Sequence, residues 1–293
     1  MAAPAPTLSI APLPGRLERR VVGAFVRFAM FRRRHGSGWE VPADLAHHDL
    51  RFEGNTGADL AGRHFIHPAP RGIVVLAHPD RRYGQFWFVK TGWVRWLLDN
   101  GFSVLTFDFT NYGASRGGST YLFEDVAAAC RLARTFAPAR PVHLVGLSIG
   151  AFSAANASPD LEFLDSLVLE SPYPSFNSWY EGDGHRVGNA SMALFDRAFP
   201  RTARLIQADQ RIRGATAKRI LIAASRSDTT TAIALTRRVA ANAPADRTTV
   251  LEVDGVEHLA LFEQSPSYRG AVLAALTGHA LPAAMPLPPS PVS

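Results

Sequence analysis

The chain contains 293 residues, of which 47% are hydrophobic and 19% charged, a balance that indicates a globular protein with a sizeable core and excludes a largely disordered chain. Its net charge is +6, but nearly all the cations are arginines, which we interpret as a habit of the source genome, and we expect no nucleic-acid partner. One cysteine, Cys130, excludes a disulfide framework, and no CxxC pair suggests a metal centre. We therefore expect no metal or cofactor, and a cytoplasmic location.

Three parts follow one another along the chain. Residues 1–46 are predicted to form a basic tail with a helix, residues 47–280 the folded domain, and residues 281–293 a proline-rich tail. Arginines concentrate within residues 16–34, around an apolar run that is too short to span a bilayer. Two interpretations remain open for this segment. We favour a solvated helix packed on the domain over a basic amphipathic helix in peripheral contact with an anionic membrane.

The domain opens with two runs, HDLRFE and DLAGRHFIH, in which apolar and polar residues alternate as they do in antiparallel strands at a sheet edge. Six nearly continuous apolar runs rich in β-branched residues follow, which is typical of strands buried on both faces of a parallel sheet. These runs span 72–78, 102–109, 142–147, 165–171, 219–225 and 249–253. Helical stretches separate several of them. The pattern predicts an α/β fold with helices on both faces of a mostly parallel, eight-stranded sheet.

The motif GxSxG occurs twice, as GASRG around Ser115 and as GLSIG around Ser148. A nucleophile elbow needs a buried strand that leads directly into the serine and a helix that begins directly after it. Ser148 has both, since VHLVGL precedes it and IGAFSAANA follows, and the small Gly146 and Gly150 allow the tight turn to close. Further glycines and polar residues follow Ser115 instead. We predict that Ser148 is the nucleophile and that Ser115 is a loop serine.

A serine hydroxyl needs a general base, and the base needs a third group that fixes its tautomer. In proteins with such an elbow the partners follow in the order serine, acid, histidine. Three histidines follow Ser148, of which His185 and His258 are the candidates. His258 comes just after the last predicted strand, whereas His185 lies in a glycine-rich stretch with no strand before it. We predict that His258 is the base and that His185 is a surface residue.

Asp228 is the favoured acid because it lies just past the penultimate predicted strand. Its rivals are Asp254 and Glu257, which share the loop of His258, and Asp246, which precedes a strand.

The oxyanion hole is expected to combine the backbone N–H of Ile149 with one from the loop after the strand at 72–78. That loop reads His-Pro-Asp-Arg, and Pro79 has no N–H to donate. Asp80 is therefore the predicted second donor, with Arg81 as the alternative.

Five segments in order, HPD, DFTNYGASRGG, GLSIG, SRSD and GVEH, resemble the α/β-hydrolase superfamily over residues 47 to 278. Where that superfamily more often has His-Gly after the third strand, this chain has His-Pro and is similar to a bacterial subset with this loop. The resemblance implies eight strands, as counted above, and a small helical cap inserted at about 172–218. The aromatic residues Phe86, Trp87, Tyr173 and Trp179 are predicted to contact substrate, or alternatively to pack on the body of the protein.

The predicted function is hydrolysis of a carboxylic ester, thioester or amide of a small-molecule acyl substrate through an acyl-Ser148 intermediate. One alternative is acyl transfer, in which an alcohol or amine intercepts the same intermediate. Another is a non-catalytic, ligand-binding protein on the same fold, because a fold does not by itself determine a function.

Overall fold

The computed structural model describes residues 17, 21, 40–54, 57–81, 83–117, 121–181 and 186–279, and for residues 179–181, 186–189, 191 and 192 it describes the backbone alone. Apart from two positions, the basic segment 16–34 lies outside the described residues, as does the proline-rich segment 281–293. None of the helices in the described part is long and apolar enough to cross a membrane.

A single sheet of eight strands runs through the domain in the order β1-β2-β4-β3-β5-β6-β7-β8. Strands β1 and β2 pair antiparallel, and so do β2 and β4, while all the other pairs are parallel. The α/β fold with its mostly parallel eight-stranded sheet is therefore confirmed. The bounds are β1 His47–Glu53, β2 Asp59–Phe65, β3 Ile73–Ala77, β4 Ser103–Phe107, β5 Val142–Leu147, β6 Leu164–Glu170, β7 Arg219–Ser225 and β8 Thr248–Val253.

Helices cover both faces of the sheet, and a cluster of buried apolar side chains lies beneath each layer. One layer contains α3, α4 and α9, and the other contains α1, α2 and α11. The helix bounds are α1 Phe86–Lys90, α2 Trp93–Asp99, α3 Leu122–Phe136, α4 Ile149–Ala157, α5 Phe176–Glu181, α6 Arg186–Ala198, α7 Pro200–Leu205, α8 Ala208–Arg211, α9 Ile233–Ala240, α10 Leu261–Gln264 and α11 Pro266–Thr277. Helices α5 to α8 lie within 172–218; that they form a cap over the site stays a prediction.

Helix α11 has sequence signals at both of its ends. The Ser265 side chain accepts a hydrogen bond from the Tyr268 backbone N–H, and Pro266 occupies the first helical position, where its missing N–H costs nothing. Gly278 ends the helix with a φ of 77°, a left-handed conformation that glycine adopts without strain. Tyr268, in the first turn of α11, lies in the core where this helix packs on β6.

Candidate active site

Ser148 lies at the sharp turn between β5 and α4. Its φ of 54° and ψ of −115° belong to a backbone region that residues with a side chain rarely adopt. The turn is held in place because the Ser148 N–H donates to the Glu170 carbonyl on the neighbouring strand β6, at 2.8 Å. Only 7% of Ser148 is exposed. The strand–serine–helix arrangement expected from the sequence is present around this serine.

The two glycines of GLSIG let the backbone pass where a side chain has no room. A Cβ on Gly150 would lie 2.0 Å from the Ala77 carbonyl oxygen at the end of β3, and a Cβ on Gly146 would lie 2.5 Å from the Gly150 carbonyl oxygen. Contacts this short do not occur between real atoms, so the close approach of the turn to β3 depends on glycine at both positions.

A continuous chain of hydrogen bonds links the three residues predicted to form the catalytic group. His258 Nε2 lies 3.1 Å from the Ser148 hydroxyl oxygen, and His258 Nδ1 lies 2.6 Å from Asp228 Oδ2. Since a carboxylate accepts and does not donate, Nδ1 carries the ring proton and Nε2 presents its lone pair to the serine. The structure thus brings together residues that are 30 and 110 positions apart in the chain.

Asp228 receives hydrogen bonds on both carboxylate oxygens. Oδ1 accepts from the backbone N–H groups of Thr230 and Thr231 at 2.9 and 2.8 Å, and Oδ2 accepts from the Ser171 hydroxyl at 3.0 Å. Burial by itself raises the pKa of Asp228, but the hydrogen bond and charge of His258, with those of Thr231 and Ser171, outweigh it and hold the pKa below the ordinary value. The Asp228 side chain is therefore ionised at neutral pH.

The rival acids have other partners. Asp254 forms an exposed ion pair with Arg226, and Asp246 forms one with its neighbour Arg247. Glu257 is exposed. His185, the rival base, lies outside the described residues. Asp228 is the one of the four predicted acids whose hydrogen bond to His258 the structure describes.

Ser115, the serine of GASRG, connects two backbone segments through the hydrogen bonds of its hydroxyl. Its hydroxyl donates to the Asp108 carbonyl at 2.6 Å and accepts from the Ala61 N–H on β2 at 2.8 Å. Both hydrogen-bonding roles of the hydroxyl are occupied by the main chain, and the side chain is 5% exposed. This placement is that of a structural loop serine, as the glycines and polar residues that follow GASRG in the sequence predict.

The loop after β3 is anchored to the segment that follows β4. His78 Nε2 accepts from the Phe109 N–H at 3.1 Å, so Nδ1 carries the proton and bonds to the Pro79 carbonyl at 2.8 Å. The Asp80 carboxylate accepts from the Tyr112 hydroxyl at 2.7 Å. The Arg81 N–H donates to the Pro79 carbonyl at 2.7 Å, which commits the alternative oxyanion donor to the loop itself.

The four aromatic residues predicted to contact substrate are placed in different surroundings. Phe86 packs under the Arg63 guanidinium and lines a cavity of about 310 Å³ beside β1 and β2, whose lining residues include none of the hydrogen-bonded three. Tyr173 is buried and stacks on Phe152 of α4, with ring centroids 4.8 Å apart. Trp87 is half-buried near Arg81. The Trp179 side chain lies outside the described residues, and substrate contact by any of the four stays a prediction.

Sequence reasoning missed two residues at the end of β6, Glu170 and Ser171. The signal was present, because ES directly follows the apolar run DSLVL and so puts polar side chains at the same sheet edge as Ser148 and Asp228. Among the residues that the structure describes, no group of three or more histidine, cysteine or acidic side chains is arranged to hold a metal ion. The side chains that do converge are suited to nucleophilic attack with proton transfer.

Comparison with known proteins gives the same picture of the fold. A model of a family described as "Alpha/beta hydrolase family" matches residues 74–291. The "Uncharacterized protein YfhR" of Escherichia coli O157:H7 is 28% identical over 130 residues, which cover 40% of this chain and 45% of that protein. The chain thus matches less than half the length of this curated relative.

Two solved structures share the architecture over most of the chain. The esterase Pf2001 of Pyrococcus furiosus superposes with a TM-score of 0.66 at 16% identity, covering 85% of this chain and 96% of the esterase. The α/β hydrolase GrgF of Penicillium sp. sh18 superposes with a TM-score of 0.59 at 14% identity, covering 80% and 99%. At these identities the likeness shows the fold alone.

Proposed function

Because the chain belongs to the α/β-hydrolase family, we propose that it is a serine hydrolase that cleaves a carboxylic ester, thioester or amide through an acyl-Ser148 intermediate. The observation that carries this proposal is the unbroken hydrogen-bond chain from Ser148 through His258 to Asp228 at a strained strand–helix turn. The esterase named among the proteins of this fold supports carboxylic esters as the first substrates to test.

In the first half of the reaction, the Ser148 oxygen attacks the substrate carbonyl carbon while its proton passes to His258 Nε2. The attack forms one carbon–oxygen bond and turns the carbonyl oxygen into an oxyanion. Asp228 stabilises the imidazolium that appears, because its ionised carboxylate already accepts the Nδ1–H bond at 2.6 Å. When the tetrahedral intermediate collapses, His258 gives its proton to the leaving group, and the acyl group stays on Ser148.

In the second half, water takes the place of the serine. His258 removes a proton from the water as it attacks the acyl carbon, and then returns a proton to the Ser148 oxygen as the acid product leaves. Protons pass only among Ser148, His258, the leaving group and water, and Asp228 stays ionised throughout. The free hydroxyl and the neutral imidazole are restored for the next cycle.

The oxyanion is stabilised in this proposal by the backbone N–H groups of Ile149 and Asp80. Ile149 is the first residue of α4, and the N–H groups of a first helical turn have no carbonyl partner within the helix. Asp80 belongs to the loop that His78 and Tyr112 anchor. Each donor of this kind contributes about 100- to 1000-fold to the rate. Contact of the substrate with Phe86, Trp87, Tyr173 and Trp179 remains part of the same proposal.

The proposal is tested with a fluorophosphonate probe, which reacts with activated serines, applied to the wild type, Ser148→Ala and Ser115→Ala. We expect labelling and hydrolysis of short acyl esters to disappear in Ser148→Ala and to persist in Ser115→Ala. Mass spectrometry of the labelled wild type locates the modified peptide. A folded wild type that takes no label supports the ligand-binding alternative, and a label on Ser115 contradicts the assignment of the nucleophile.

A further inference from the structure

A second buried carboxyl group lies beside the site, and the proposed mechanism does not use it. Glu170 is the last residue of β6 and is 1% exposed. Its backbone carbonyl accepts the Ser148 N–H at 2.8 Å, and the next residue, Ser171, donates its hydroxyl to Asp228 at 3.0 Å. Glu170 is thus connected through the backbone to the nucleophile on one side and to the acid on the other.

The Glu170 side chain lacks the partners that a charged carboxylate needs. Among the residues that the structure describes, no group forms a hydrogen bond of good geometry with either buried oxygen, although the Tyr268 hydroxyl of α11 lies close enough to lower the pKa of Glu170. The Asp228 carboxylate, which is hydrogen-bonded to His258, would repel a negative charge on Glu170. Arg269, the next residue of α11, directs its guanidinium to backbone carbonyls of α10.

Such surroundings favour the neutral acid. Removing a carboxylate from water without a cation or a donor in return is costly, and a second carboxylate nearby adds repulsion. Burial above all, together with the Asp228 charge and against the Tyr268 hydroxyl, which lowers it, raises the pKa of Glu170 to about 8. Glu170 is therefore neutral at pH 7 and loses its proton to solvent in the mildly alkaline range.

We propose that Glu170 is a positioning residue that sets the negative charge acting on His258, an inference that rests on the proposed hydrolysis by Ser148. As the neutral acid, it leaves Asp228 as the carboxylate that stabilises the imidazole. As the ionised acid, it adds a second negative charge near Asp228, and this charge stabilises the imidazolium that forms when Ser148 attacks. The site accordingly has two charge states, of which the alkaline one holds a proton on His258 more strongly.

The direct test follows the His258 Nδ1–H resonance of the intact protein by NMR as pH is varied. Because this resonance responds to charge near the ring, we expect the wild type to show a step in the mildly alkaline range, where Glu170 ionises. Glu170→Gln keeps the neutral shape and cannot ionise, so we expect its curve to lose the alkaline step and otherwise to follow the wild type. The exposed Glu263 of α10 supplies the matched control, and Glu263→Gln is expected to superpose on the wild type.

A second variant tests the same step without removing the carboxyl group. The Tyr268 hydroxyl favours the ionised form of Glu170, so Tyr268→Phe shifts the second step to higher pH. The kcat profile for an acyl ester follows the resonance, with two steps in the wild type and one in Glu170→Gln. Should Glu170→Gln fail to fold, Tyr268→Phe decides the test: a shift of the alkaline step to higher pH supports the role of Glu170, and no shift contradicts it.

The proposed hydrolysis by Ser148 and the proposed role of Glu170 are contradicted by different results. Superposable titrations of the wild type, Glu170→Gln and Tyr268→Phe overturn the role of Glu170 even if esters are hydrolysed. A two-step titration in a protein that hydrolyses no ester supports the electrostatic coupling and contradicts the proposed function.

Discussion

The sharpest test of the proposed mechanism is Asp228→Asn, which preserves the shape of the side chain and removes its charge. An asparagine oxygen can still accept the Thr230 and Thr231 N–H bonds that Oδ1 receives at 2.9 and 2.8 Å. Its amide nitrogen then faces His258 Nδ1 and the Ser171 hydroxyl. Since that nitrogen donates, the imidazole turns to the tautomer with the proton on Nε2 and cannot take a proton from Ser148.

The expected loss of activity is large because Asp228→Asn changes the tautomer of His258 and also removes the negative charge beside it. A neutral isostere at this position of a serine–histidine–acid group lowers kcat by about 10⁴-fold, which is about 5.5 kcal/mol of barrier. Two of the hydrogen bonds to the side chain survive, so we expect the unfolding free energy to change by no more than about 1 to 2 kcal/mol. The KM of an ester is expected to stay within a few-fold, because Asp228 is not proposed to contact substrate.

Initial rates on a p-nitrophenyl acyl ester, with fluorophosphonate labelling as an independent measure, are enough to decide. Asp254→Asn is the matched control, since Asp254 lies on the loop of His258 but pairs with Arg226 on the surface. We expect that control to retain at least half of the wild-type kcat. An Asp228→Asn protein within tenfold of wild type, or an equal loss in Asp254→Asn, would refute the assignment of the acid.

Three further predictions concern stability. Ser115→Ala leaves the buried Ala61 N–H without its acceptor and is expected to cost about 1 to 3 kcal/mol in urea unfolding, with activity kept within a few-fold. Gly150→Ala places a methyl group 2.0 Å from a backbone carbonyl and is expected to abolish soluble folded protein, whereas Gly270→Ala, which meets open space on α11, is neutral or stabilises by up to about 1 kcal/mol. Glu170→Gln is expected to raise the Tm relative to wild type by an amount that grows from pH 5 to pH 8.

The sign of that last prediction follows from the proton balance. The folded chain keeps the Glu170 proton up to a pKa of about 8, whereas the unfolded chain releases it near the ordinary value. The stability contribution is therefore complete at acidic pH and falls as pH rises towards 8, by at most about 1.4 kcal/mol for each pH unit. A Tm difference between Glu170→Gln and the wild type that does not vary with pH contradicts this prediction. A stable, active Gly150→Ala protein contradicts the prediction for Gly150. A Ser115→Ala protein as stable as the wild type contradicts the prediction for Ser115.

The sheet could be predicted from the sequence because its signal is local. Each of the six continuous apolar runs became a parallel strand, and the two alternating runs became the antiparallel pair at the edge. The expected positions of Ser148, Asp228 and His258 followed from the same signal, since each lies at or just past the end of a strand and parallel strands end at one edge. Topology thus predicted that the three meet, and the structure supplies the distances.

What the sequence could not give depends on contacts between distant segments. Glu170 and Tyr268 meet because α11 packs across β6, and no local pattern encodes which side chains a helix places against a strand end. The surroundings of Phe86 and Tyr173 also depend on long-range packing, against Arg63 of β2 and Phe152 of α4. Aromatic residues near a motif can face substrate or core, and composition does not distinguish the two.

The two GxSxG motifs show why a pattern of five residues does not define a nucleophile. In GASRG, a Cβ on Gly113 would lie 2.1 Å from the Asp108 carboxylate, so this glycine makes room for a side chain that ties loops together. In GLSIG, Gly150 makes room for the backbone of β3. The hydroxyl of Ser115 is held by two main-chain groups, while that of Ser148 faces an imidazole. Reactivity is therefore decided by the hydrogen-bonding partner that each turn supplies, and the flanking strand and helix determine that partner.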